Sequence, residues 1–193
     1  MGRRLARLRR VLEKEDVRSI SRRYFIANGF DGTLTSIGVV VGAYLSGIDE
    51  GLTVVAIGLG AAVGLGTSGV WSVWEIERAQ ALAEQERIEQ AMLTELEDTR
   101  VQREHRAAQI VHATASATGP ILAILLTLSP LALEGVVFTM LQSVLASIAV
   151  GIAILAAFGI YLASISKQRW YVAAVRMGLA GLVVAAINVF LPG

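Results

Sequence analysis

The sequence contains no cysteine, which excludes disulfides, thiolate metal sites, iron–sulfur clusters and cysteine nucleophiles. Any metal must be held by oxygen, imidazole or thioether ligands. Histidine is almost as scarce. The two histidines, His105 and His112, are seven residues apart, about 10 Å along a helix axis and too far to share one ion directly. No Glu-x-x-His occurs, so the paired motif of di-iron helical bundles is missing and a membrane-bound di-iron oxidase is disfavoured. G-x-S-x-G, P-loop and His-Glu-x-x-His motifs are also lacking. No hydrolase or nucleotide-driven site is legible, and the expectation is a protein that is not an enzyme and has no tightly bound cofactor.

Charge is in short supply too. Charged residues make up 17% and hydrophobic residues 54% of the chain, and the mean hydropathy is +0.61. A soluble domain carries about 25% charged residues, so the deficit points to lipid as the solvent. The net charge of +1 conceals a strong segregation along the chain.

Five apolar stretches, at about 24–45, 52–74, 111–133, 136–165 and 170–191, approach or exceed the roughly 20 residues that cross a hydrocarbon core of about 30 Å. Each is expected to be a helix, because a helix satisfies its own backbone where water is absent and the alternation of a membrane barrel is missing. The fourth is long enough to tilt or to emerge from the bilayer. Glu75 to Thr118 contains neither glycine nor proline and is rich in good helix formers. A reversal is expected near Glu97–Thr99. The expected fold is therefore all-α: a polytopic membrane protein with five transmembrane helices and a helical cytoplasmic segment between spans two and three. Its parts are a basic amphipathic segment at 1–23, spans one and two at 24–74, a Glu-rich helical segment at 75–110 and spans three to five at 111–193.

All 17 lysines and arginines fall on one side of this arrangement. The loops on the other side, around Ser46–Gly51 and Ser129–Gly135, carry only Asp49, Glu50 and Glu134 as charged residues. The positive-inside rule then places the N-terminus and the 75–110 segment in the cytoplasm and the C-terminus outside. Trp71, Trp74, Trp170 and Tyr171 fall at the expected cytoplasmic boundary, where amphipathic rings prefer to sit. The arginine-rich N-terminus, with Leu5, Leu8 and Leu12 at helical spacing, reads as an interfacial helix on anionic headgroups. Neither a signal peptide nor a nucleic-acid-binding arm is expected there.

Asp31 is the only acidic residue inside an expected span. A carboxylate near a helix centre costs about 2.5–3.5 kcal/mol on insertion scales, so such residues face a protein interior or a water path and serve ions, protons or substrates. The plainer alternative is a hydrogen bond that locks two helices. Asn28, Asp31, Thr35, Gly38 and Gly42 form one helical stripe, suited either to lining a path or to close packing of a partner helix. In span two, Gly60, Gly64 and Ser68 form a second small-residue face, best read as packing. On the cytoplasmic segment, Glu84, Glu86, Glu89 and Glu95 are hard oxygen donors able to gather a divalent cation. A solvated helix with ordinary pairing, such as Glu84 with Arg87, accounts for them equally well.

The run Arg23-Tyr-Phe-Ile-Ala-Asn-Gly-Phe-Asp-Gly-Thr-Leu-Thr-Ser-Ile-Gly-Val-Val-Val-Gly resembles the first span of the vacuolar iron transporter family. The five spans, the cytoplasmic N-terminus and the Glu-rich segment between spans two and three are similar in plan, as for a short, divergent prokaryotic-type member. The resemblance implies a homodimer in a prokaryotic plasma membrane, with a path between paired first spans. In that path Asp31 would bind Fe²⁺ or Mn²⁺ and exchange it for protons. The stretch matching the family's second span, Gly58–Val70, has neither the glutamate nor the Ser-Met pair usual there. Two functions remain in view. One is proton-coupled export of Fe²⁺ or Mn²⁺ from the cytoplasm; the other is a non-transporting scaffold or metal-responsive regulator of the same fold.

Overall fold

The computed structural model describes residues 14–92 and 100–190, with side chains described at 14–91 and 105–190. It consists of helices α1 (Glu15–Leu45), α2 (Gly51–Met92), α3 (Arg100–Leu128), α4 (Met140–Ser166) and α5 (Trp170–Phe190), with a 3₁₀ turn at Leu131–Leu133. All five helices are long and apolar enough to cross a membrane. Among the described residues there is no β-strand, only an isolated bridge between Glu134 and Phe138. The interfacial leucines 5, 8 and 12 and the reversal at Glu97–Thr99 lie outside the described residues.

The helices differ from the apolar stretches at their ends. Helix α1 runs unbroken from Glu15, so residues 15–23 extend span one instead of forming a separate element. Val17 in this extension packs against Ala107 of α3. Helix α3 stops at Leu128, short of the expected 133, and Pro130 follows, a residue that cannot continue a helix. Helix α4 begins at Met140 although the apolar run begins at 136, because Val136 and Val137 lie in an exposed turn. Gly135 sustains that turn at φ 76°, a conformation costly for a residue with a Cβ. The chain enters α4 through Thr139, whose N–H donates to the Gln142 side chain at 3.0 Å, one half of a capping box.

Helix α2 has 42 residues and, at 1.5 Å per residue, a length of about 63 Å, roughly twice the hydrocarbon thickness. Trp71 and Trp74 stand about 30 Å from its start, where the far interface falls. The remainder of α2, residues 75–92, exceeds the length that the hydrocarbon core requires.

Without a hydrophobic drive between helices in lipid, small residues at the contacts govern packing. Helix α1 meets α3 where Gly29 and Gly32 face Gly119 and Pro120. A Cβ on Gly32 would stand 2.6 Å from the Pro120 Cα, and one on Gly119 would run into the Phe25 carbonyl oxygen. Helices α4 and α5 close on α1 at glycines as well: a Cβ on Gly151 would lie 2.8 Å from Ile37, and one on Gly181 would lie 3.2 Å from Ile37. Ile37, Val40, Ile124 and Leu155 are fully enclosed at these contacts. Buried hydroxyls turn back on their own helices: Thr33 donates to the Gly29 carbonyl, Ser36 to that of Thr33 and Thr127 to that of Ala123, each at 2.8 Å. This local bonding lets them pack among apolar groups. Leu52, Val63, Leu126, Leu145, Val183 and Ile187, all more than half exposed, form the outer face.

Gly119→Val is expected to destabilise the bundle by about 1–3 kcal/mol, since its side chain meets backbone that cannot swing away. Gly60→Ala, whose Cβ meets nothing within 4 Å, should be nearly silent. Unfolding midpoints in mixed-detergent titrations would decide, and equal midpoints for the two variants would refute so close an approach of α1 to α3.

Candidate functional site

The stripe on α1 is divided among several surroundings. The side chain of Asn28 reaches α3, where its Nδ2 donates to Ser116 Oγ at 2.6 Å. Gly38 faces the Asn188 amide of α5, and Gly42 has no neighbour within 4 Å of a Cβ position. Thr35 is half-buried and Asp31 is exposed. The residues that bury α1 inside the chain are instead Gly29, Gly32, Thr33, Ser36, Ile37 and Val40, the neighbouring face. Asp31 therefore opens outward. It lines a groove of about 580 Å³ between α1 and the α4–α5 pair, with Arg22 and Arg23 towards the basic end and Ile26, Phe30, Leu162, Ile165 and Met177 as apolar walls.

The carboxylates of α2 follow the helix without converging. Glu84 and Glu86 are exposed and Glu89 is half-buried. Gln85 Nε2 donates to Glu89 Oε1 at 2.7 Å and Gln90 Nε2 to Glu86 Oε1 at 3.5 Å. Glu95 lies outside the described residues. Among the described residues, no three side chains of His, Asp or Glu come together closely enough to hold a metal.

A polar seam between α1, α2 and α3 carries chemistry that the sequence reading passed over. The Tyr24 hydroxyl donates to Glu77 Oε1 at 3.3 Å, and His112 Nδ1 lies 3.1 Å from the same oxygen. The Tyr24 and His112 rings stand 6.0 Å apart between centroids. The Arg23 guanidinium sits over the Tyr24 ring at 5.9 Å, at the outer reach of a cation–π contact. One turn further into the bundle, Ser116 accepts from Asn28 and donates to the Gly69 carbonyl at 3.0 Å, linking all three helices. Towards the other end, Gln109 Nε2 donates to the Trp74 carbonyl at 2.7 Å.

Glu77 and His112 are too distant in sequence for a spacing rule to join them. The legible signal was a pair of i, i+4 polar positions, Tyr24 with Asn28 on α1 and His112 with Ser116 on α3, each beginning at an expected span boundary.

Ser116 is fully buried. Ser116→Ala is expected to cost about 1–3 kcal/mol, because it strands the Asn28 amide in the bundle. Asn28→Ala should cost less, since Ser116 keeps its bond to Gly69. Unfolding midpoints of the two variants test this order, and a silent Ser116→Ala would exclude the bridge from stability.

Residues 72–192, more than half of the chain, match the VIT family. This stretch includes Glu77, Glu84, Glu86, Glu89 and His112 and begins after α1, so Asp31 precedes it. An uncharacterized protein of Methanocaldococcus jannaschii is 26% identical over 176 residues, which cover 88% of this chain and 86% of that one. No solved structure matches. Five membrane-length helices and the family match together identify the chain as an integral membrane protein that belongs to the VIT family, a family of membrane metal-ion transporters and not of enzymes.

Proposed function

We propose that this protein exports a divalent cation, Fe²⁺ or Mn²⁺, from the cytoplasm of a prokaryotic cell in exchange for protons, along a path formed between the first spans of a homodimer. The observation that carries the proposal is the outward-facing Asp31. A carboxylate in mid-span has no stable place against lipid, yet this one opens to the outside of the protomer, and Gly42 on the same stripe has no neighbour within 4 Å of a Cβ position. A second copy of α1 laid on that face supplies cover and pairs two Asp31 carboxylates about one aqueous route. Glu84, Glu86, Glu89 and Glu95 collect the cation at the basic end, which faces the cytoplasm by its arginine content.

A metal-responsive scaffold is the competing reading, favoured by a stretch of α2, residues 51–74, that contains no carboxylate and no methionine. Its signature is metal binding without flux.

Proteoliposome assays separate the two. Wild type is expected to carry Fe²⁺ or Mn²⁺ and Asp31→Ala to lose that flux, whereas equal flux in both would remove Asp31 from the path. The combined Glu84→Gln, Glu86→Gln and Glu89→Gln variant should raise the half-saturating metal concentration and leave the maximal rate near that of wild type. An unchanged half-saturation would rule out the collecting role.

A further inference from the structure

The seam at the basic end of α1, α2 and α3 holds a group that the path through Asp31 does not use. His112 is only 2% exposed, and neither of its ring nitrogens has a hydrogen-bond partner. Buried polar groups left unpaired are rare, because burial removes water without replacing it. The imidazole nevertheless faces a partner: its Nδ1 is 3.1 Å from Glu77 Oε1, which lies 3.3 Å from the Tyr24 hydroxyl. Neighbouring ligands bound at roughly 2.1 Å around an octahedral cation stand about 3.0 Å apart. The two distances from Glu77 Oε1 thus match those between adjacent ligands of a single ion.

We propose that Glu77 and His112, with the Tyr24 oxygen beside them, form a binding site for a first-row divalent transition-metal ion at the basic end of the α1–α2–α3 seam. The donor set suits that class. Carboxylate and phenol oxygens alone would favour Mg²⁺ or Ca²⁺, and an imidazole shifts the preference towards transition metals. Two strong protein ligands leave the remaining positions to water, so the ion is held loosely enough to move on. From this site the polar positions of α1 descend through Asn28 to Asp31, about 6 Å and then about 4.5 Å further along the helix axis. The site forms an entry station between the glutamates of α2 and the interior of the bundle. Its assignment to the transported cation rests on the transport reading; the binding site itself does not.

The chain's two histidines make the test direct. The tag-free, full-length protein in lipid nanodiscs is loaded with Mn²⁺ and examined by pulsed electron paramagnetic resonance, which detects the nitrogen of a coordinated imidazole. In His105→Gln, His112 is the sole imidazole, so this variant decides without altering the site. Nitrogen modulation is expected in wild type and in His105→Gln. It should vanish in Glu77→Gln, with Mn²⁺ binding at that site weakened by about tenfold or more. No nitrogen modulation in His105→Gln, or modulation unchanged in Glu77→Gln, overturns the proposal. Flux in proteoliposomes without nitrogen modulation removes this site and leaves transport standing; nitrogen modulation without flux removes transport and leaves the site.

Discussion

The approach of α1 to α3 sets where the polar side chains of this bundle meet. Gly29 and Gly32 on one helix and Gly119 with Pro120 on the other bring the two backbones almost into contact, which a pair of larger residues would prevent. In a bilayer no water is available to satisfy a polar group left outside such a contact. The consequence is visible on either side of it. Thr33 and Ser36 fold their hydroxyls back onto α1, and Asn28 reaches across to Ser116. Tyr24, one turn earlier, arrives beside Glu77 and His112. The seam is a by-product of close packing that places a carboxylate, an imidazole and a phenol within a few ångströms of one another.

Two polar regions of different character share α1. The seam side is enclosed by α2 and α3, and its groups are bonded or buried. Further along the helix Asp31 lies on the groove facing α4 and α5, with Arg22 and Arg23 nearer the basic end. Two arginines bordering a groove with one carboxylate attract anions at its mouth and leave cation attraction to the deeper position. Arg23 touches both regions, bordering the groove and sitting over the Tyr24 ring at 5.9 Å. On the proposed reading, cation entry and the dimer face succeed one another along the same helix.

Length and apolar content alone determined that the chain is an α-helical membrane protein with five spans, because only helices of about 20 residues satisfy their own backbone across a hydrocarbon core. The absence of glycine and proline from Glu75 to Thr118 is matched by helices that run to Met92 and from Arg100, since nothing in that stretch breaks a helix. The run around Asp31 was specific enough to point to a transporter family, and the family match reached the same family from the remainder of the chain. Helix ends were less legible: Val136 and Val137 are apolar yet lie in a turn, because Pro130, Gly135 and Thr139 dictate the backbone there. Which face of α1 packs was left to tertiary structure, since the stripe through Asn28 and Gly42 and the neighbouring face through Gly29 and Ser36 are both rich in small residues. Only the partner surface, with Pro120 against Gly32, chooses between them. The meeting of Glu77 with His112 was decided there too: they stand 35 positions apart in the chain, and only the docking of two antiparallel helices on α1 brings His112 and Tyr24 to one oxygen of Glu77.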